Sequence, residues 1–140
     1  MAIRVVLDTN VLLDFLNITR PEHDLAVALL GVLRRRGVDT CAVATSLKDI
    51  YYVLGRSDGK QVARAAVDSV LKTMMILPVD FDCCKRAGAS TEPDFEDGII
   101  RAAAEIAQAD YLITRDTSAF EGSRVPQISP ATAIKVITHG

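Results

Sequence analysis

A single α/β domain, a parallel sheet of about five strands enclosed between helical layers, is predicted by three observations. Short apolar runs recur at Ile3–Leu7, Asp39–Ala44, Met75–Val79, Tyr111–Thr114 and Val125–Ile128. Between them lie segments with apolar residues at helical spacing, and this alternation implies right-handed crossovers and a sheet covered on both faces. Finally, 140 residues with 49% hydrophobic content and 5 prolines supply one sizeable core, with no linker, repeat or low-complexity stretch to divide it.

After the first strand, Val11 to Asn17 reads as a short helix. Pro21 opens a longer one in which Leu25, Leu29, Val32 and Leu33 recur until Arg34-Arg35-Arg36-Gly37, with Gly37 as its C-cap. Beyond the second strand, Thr45 or Ser46 caps a helix carrying Leu47, Ile50, Tyr51 and Leu54 on one face. Gly55 to Gly59 is a polar turn, and Val62, Ala66, Val70 and Leu71 mark the next amphipathic helix. It leads into Met75–Val79, where Pro78 indicates an edge or strand-end position. A helix through Cys83 to Ala89 follows. Glu92-Pro93-Asp94-Phe95-Glu96-Asp97 then opens the Ala-rich helix Gly98 to Ala109, with Asp94 as its cap. Past the Tyr111–Thr114 strand come a polar loop from Arg115 to Arg124, the last short strand, and a final helix capped by Ser129 with Pro130 at its first position.

Composition removes several classes of function. With 16 basic and 18 acidic residues, net charge −2, the chain lacks the basic surface that coats nucleic acid passively, but an acidic nuclease whose site is offset by metal remains open. Cys41, Cys83 and Cys84 have no C-x-x-C spacing, so neither a zinc site nor a disulfide framework is indicated, and reduced, buried thiols are expected. No apolar run approaches the ~20 residues of a membrane span, and the N-terminus has no leader pattern, so a cytoplasmic location without a membrane partner is expected. Gly55 to Gln61 falls one residue short of a phosphate loop and has Gln61 where Ser or Thr should meet the metal. There is no G-x-S-x-G elbow, and neither His23 nor His139 sits in a triad pattern.

Four aspartates carry the remaining chemistry: Asp8 directly after the first strand, Asp49 in an early helix, Asp97 in the first turn of the Ala-rich helix, and Asp116 just past Tyr111–Thr114. Open α/β sheets bind ligands outside the carboxyl ends of their strands, a crevice that all four can face. Singly, each has a structural explanation, because aspartates commonly cap helices and close turns. Together they would repel one another and raise their own pKa values unless a cation joined them. Carboxylate and water oxygen suit Mg²⁺ or Mn²⁺, whereas zinc favours the histidine and cysteine that are scarce here. Such an ion activates water and steadies the leaving oxygen in phosphodiester hydrolysis.

Four segments occur in order across nearly the whole chain: Val5-Val6-Leu7-Asp8-Thr9-Asn10-Val11-Leu12-Leu13, Ala44 to Leu54 around Asp49, Asp94-Phe95-Glu96-Asp97 with its Ala-rich helix, and Tyr111-Leu112-Ile113-Thr114-Arg115-Asp116 through Phe120. In these the chain resembles the PIN domain family, metal-dependent nucleases that include VapC-type toxins. The resemblance implies strand order 3-2-1-4-5, with Asp8 and Asp116 flanking the reversal between strands one and four. It also implies that Asp8, Asp97 and Asp116 ligate metal, that Asn10 and Thr114 support the site by hydrogen bonding, and that the substrate is RNA. For a toxin it implies a small antitoxin protein in the acidic crevice, and it implies pairing into a homodimer. Asp49 stands where many members carry glutamate, and its shorter side chain would reach metal only through water. Two expectations follow: a Mg²⁺- or Mn²⁺-dependent endoribonuclease using Asp8, Asp49, Asp97 and Asp116, or a PIN-fold RNA-binding or protein-interaction module with little catalysis. Lys48, Arg56, Arg101 and Arg115 are candidate phosphate contacts, and Arg34-Arg35-Arg36 a further one.

Overall fold

The expected alternation is realised as β1 (Arg4–Leu7), α1 (Thr9–Leu16), α2 (His23–Arg35), β2 (Asp39–Val43), α3 (Ala44–Asp58), α4 (Lys60–Thr73), β3 (Met75–Leu77), α5 (Phe81–Gly88), α6 (Phe95–Ile106), β4 (Tyr111–Ile113), a 3-10 turn (Thr117–Phe120), β5 (Gln127–Ile128) and α7 (Pro130–His139). The computed structural model describes residues 2–92, 94–120 and 122–140; Pro93 of the acidic segment and Glu121 of the polar loop lie outside them. All strand pairs are parallel, and the sheet order is β3-β2-β1-β4-β5, as the resemblance implied. Pro78 follows the edge strand β3, where its missing N–H breaks no ladder.

Successive side chains of a strand point to opposite faces, and β1 shows the result. Val5 and Leu7 pack with Leu12, Leu29, Ile50, Leu54 and Ile137 in one core cluster, while Val6 joins Cys41, Leu77, Ile99, Ile100 and Phe120 in another. Helices α1 to α4 and α7 therefore cover one face, and α5 and α6 the other. Val5, Val6 and Leu7 have no exposed surface, as expected of a parallel sheet buried on both sides.

Boundaries differ from the sequence reading where side chains act across elements. Helix α1 begins at Thr9 rather than Val11, because Asp8 caps it. Helix α3 leaves β2 directly at Ala44, so neither Thr45 nor Ser46 is its cap. Ser46 is buried instead, sharing a 2.7 Å hydrogen bond with the Thr9 hydroxyl that ties α3 to the start of α1. The turn expected over Gly55–Gly59 contracts to Gly59 alone, since α3 continues through Gly55 to Asp58. A glycine inside a helix costs only about 1 kcal/mol, less than the burial of Ile50 and Leu54 returns. The polar loop contains the 3-10 turn, and α5 turns Cys83 inward but Cys84 outward, so only two of the three thiols are buried. No helix of the described residues is long and apolar enough to cross a membrane.

Gly59 has φ +93°, with open space where a methyl group would stand. Gly59→Ala is therefore expected to destabilise the domain by about 1–2 kcal/mol through backbone strain alone. A lowered thermal midpoint would show it, and an unchanged one would mean that the α3–α4 junction relaxes without cost.

Candidate functional site

Because β1 and β4 are parallel neighbours, both finish at the same edge of the sheet. The Asp8 N–H donates to the carbonyl of Ile113 at 3.0 Å, which continues the ladder one residue past β1. Asp8 as a residue is 7% exposed, and its carboxylate is held at both oxygens: Oδ1 accepts from the Thr9 N–H at 2.8 Å, and Oδ2 from the Thr114 hydroxyl at 2.8 Å. Burial pushes the Asp8 carboxyl above the ordinary aspartate range and the charge of Asp116 adds to this; the two hydrogen bonds and the charge of Arg115 oppose it. Thr114 Oγ1 in turn accepts from the Asp116 N–H at 3.0 Å, so one buried hydroxyl links the ends of β1 and β4.

A cleft of about 280 Å³ opens above this point. Asp8 and Asn10 enter it from the start of α1, Asp49 and Tyr52 from α3, and Asp94, Glu96 and Asp97 from the start of α6. Three of the four expected aspartates thus line one cleft. Asp116 stands outside that lining, with its Oδ1 accepting from the Ser118 hydroxyl at 2.7 Å. Its charge nonetheless bears on both Asp8 and Asp97. Asn10 is exposed on the cleft wall, while the hydrogen bonds that orient Asp8 come from Thr9 and Thr114.

Asp94 and Glu96 are cleft residues that the sequence reading did not place there. Asp94 does cap α6, its Oδ1 accepting from the Glu96 N–H at 2.8 Å, and the same position brings it to the cleft. The available signal was the density of acid in Asp94-Phe95-Glu96-Asp97, since a helix turn puts residues three apart on one side. Lys48 bridges α3 and α6, donating to Asp49 Oδ1 at 2.7 Å and reaching Glu96 at 3.4 Å. Both partners hold its ammonium protonated, Asp49 more strongly.

The other candidate phosphate contacts divide. Arg101 is buried, paired with Glu92 and, at 2.6 Å, with Glu105, so it is a structural cation and not a surface contact. Its number places it one turn beyond Asp97, but only packing of α6 against α5 decides which way it faces. Arg56 remains accessible, stacked 5.6 Å over the ring of Tyr52 and donating to its hydroxyl at 2.9 Å. Arg36 donates to the Thr138 carbonyl at 2.9 Å, a helix-end role for part of the arginine run.

Asp97 carries the clearest electrostatic signature. Burial, then the charges of Asp94, Asp8, Asp116 and Glu96, push its carboxyl up to about 6 from the ordinary 3.8. Between those values the folded state holds more protons than the unfolded one, so this group's contribution to stability falls as pH rises through that window. Asp97→Asn should therefore stabilise the metal-free domain at pH 7.5 by about 1 kcal/mol, a figure well below the full shift because the group is only half-buried and solvent screens part of the effect. The gain should shrink toward pH 4, as the unfolded state also takes up the proton. Calorimetric melts in EDTA at the two pH values test this; a loss of stability at pH 7.5 would show that the cleft carboxylates do not repel.

Could a divalent ion fit here? The donors are all carboxylate oxygen, the set that Mg²⁺ and Mn²⁺ prefer, and their mutual repulsion is the kind an ion relieves. Among the described residues, no three Asp, Glu, His or Cys side chains stand close enough to ligate one ion together. The arrangement thus suits an ion that keeps several waters and takes one or two carboxylates directly.

Comparison with known families agrees with the fold. The profile of the PIN domain matches residues 4–118, a span that includes all four aspartates. The chain belongs to the PIN domain family. PIN-fold structures of similar shape include VapC20 of Mycobacterium tuberculosis, described as a Sarcin-Ricin loop cleaving toxin, with TM-score 0.68 and 17% identity over 84% of this chain and 94% of that one. VapBC2 of Rickettsia felis, bound to a promoter DNA fragment, gives TM-score 0.70 and 17% identity over 91% and 98%. A toxin-antitoxin complex from Klebsiella pneumoniae gives 0.66 and 22% over 90% and 97%. At these identities the likeness is one of fold. Comparison with curated protein sequences finds no match.

Proposed function

We propose that this PIN domain is a Mg²⁺- or Mn²⁺-dependent endoribonuclease of the VapC type. The observation that carries the reading is the gathering of acid at the carboxyl ends of β1 and β4, where burial and then the neighbouring carboxylate charges push Asp97 up to about 6. Asp8 and Asp97 are the residues to hold an ion directly, with Asp49 and Asp116 reaching it through water. The bound ion would supply an activated water and charge stabilisation at the phosphoryl oxygen.

The chain's own groups do the rest. Thr114 and the Thr9 N–H each occupy one lone pair of Asp8, fixing the carboxylate while leaving further lone pairs for a ligand. Lys48 and Arg56, exposed beside the acidic wall, are placed to meet the phosphates of a single strand. The likeness to VapC20, a Sarcin-Ricin loop cleaving toxin, supports RNA as the substrate, and the toxin-antitoxin complex among the structural neighbours supports an antitoxin as partner.

One observation favours a second reading, a PIN-fold interaction module with weak catalysis. Asp49 is engaged by Lys48 at 2.7 Å, and its side chain is shorter than glutamate. The deciding experiment is incubation of the folded, partner-free protein with a mixed RNA pool in Mn²⁺, in Mg²⁺ and in EDTA. Cleavage that EDTA removes supports the nuclease; no cleavage in any condition supports the module.

A further inference from the structure

Helix α1 grips the end of β4 at two places. Asp8, at its start, receives the Thr114 hydroxyl. Asp14, nearly two turns later, holds the next residue, Arg115, whose Nε lies 2.7 Å from Asp14 Oδ2 and whose Nη2 lies 3.4 Å from Oδ1. The Asp14 side chain is only 3% exposed, and it has a second cation in Arg20 at 3.3 Å. Its carbonyl also bonds the His23 ring Nδ1 at 2.9 Å. Burying a carboxylate beside the core residues Val11, Leu12 and Leu13 is costly unless its partners are secured. The partner it secures is the one residue between Thr114 and Asp116.

The consequence lies in that turn. Thr114 must aim its hydroxyl at Asp8 while accepting from the Asp116 N–H. Arg115, its own side chain 39% exposed, is restrained by the ion pair with Asp14. We propose that Asp14 is a positioning residue of the acidic cleft, acting through Arg115 to hold the Thr114–Asp116 turn so that Asp8 stays oriented and Asp116 stays beside the cleft. This rests on the metal-nuclease reading above. Asp14 is not part of the cleft lining, which separates its role from that of the four aspartates.

The test is Mn²⁺ titration calorimetry on the full chain as wild type, Asp14→Asn, Arg115→Ala and the double variant, with thermal melts as the fold control and steady-state kinetics on RNA alongside. Each single variant is expected to weaken Mn²⁺ binding about tenfold, the usual scale for residues that orient metal ligands. Turnover should fall with the RNA KM unchanged, and the double variant should be no worse than the poorer single one, because both act along one path. A residue of merely structural importance would lower the melting temperature and leave Mn²⁺ affinity intact, a result that overturns the proposal. Should Asp14→Asn fail to fold, Arg115→Ala decides: wild-type Mn²⁺ affinity there, or a raised KM alone, sinks the idea. Wild-type protein that neither binds Mn²⁺ nor cleaves RNA refutes the nuclease reading and this inference with it, whereas wild-type activity with unaffected variants refutes only this inference.

Discussion

Asp8→Asn is expected to abolish metal-dependent RNA cleavage, by about 10³-fold or more, equivalent to about 4 kcal/mol of lost stabilisation of the reacting phosphate. The fold should survive the change. Asparagine caps helices as well as aspartate does, so its side-chain oxygen can keep accepting from the Thr9 N–H that starts α1. The Thr114 hydroxyl, which now donates to Oδ2, can turn to accept from the new amide. Burial raises the Asp8 carboxyl, so ionising it above the normal aspartate range costs stability, and a neutral amide avoids that cost. The thermal midpoint should accordingly equal or exceed that of the wild type in EDTA. Cleavage assays with Mn²⁺ beside circular-dichroism melts measure both halves. A folded variant that still cleaves would remove Asp8 from the site.

The largest effect on stability is expected from Phe120→Ala. Phe120 is 1% exposed and packs with Val6, Leu112 and Ile99 on the face covered by α5 and α6. Truncating such a side chain costs about 3–5 kcal/mol through lost burial and the cavity left behind. Against a total stability of about 5–15 kcal/mol, that is a large fraction. Urea denaturation should show a lower midpoint with an unchanged slope. A functional effect should accompany it, since the 3-10 turn ending at Phe120 is bonded to Asp116 by the Ala119 N–H at 3.3 Å and the Ser118 hydroxyl at 2.7 Å. Phe120→Leu should recover most of the stability. A loss below about 1 kcal/mol in Phe120→Ala would mean that the turn is not anchored through the core.

Much of the site was legible because its residues sit where local chemistry is informative. Asp8 ends a strand whose residues are apolar on both faces, and Asp94 caps a helix by the local pattern of acid before an Ala-rich run. Three further residues show the limit. Asp14 reads as one more polar position on a short helix, and only the return of β4 beside β1 places Arg115 against it. Arg101 reads as a cation near Asp97, and only the packing of α6 turns it inward to Glu92 and Glu105. Phe120 lies in a segment that reads as polar loop, yet it is among the most buried side chains.

By itself, then, the sequence determined the alternation of strands and helices, the two-faced burial of the sheet, the caps at Asp94 and Ser129, and the placement of Asp8 and Asp116 just past the strand ends. Each of these depends on residues within a few positions of one another, where period and side-chain type act locally. The tertiary structure decided which carboxylates share the cleft, that Asp116 stands outside its lining, and that Arg115 pairs with Asp14 while Thr114 bonds both Asp8 and Asp116. Those relations span about a hundred residues of chain, as between Asp8 and Thr114, and they exist only once parallel pairing of β1 with β4 has brought both ends to one edge.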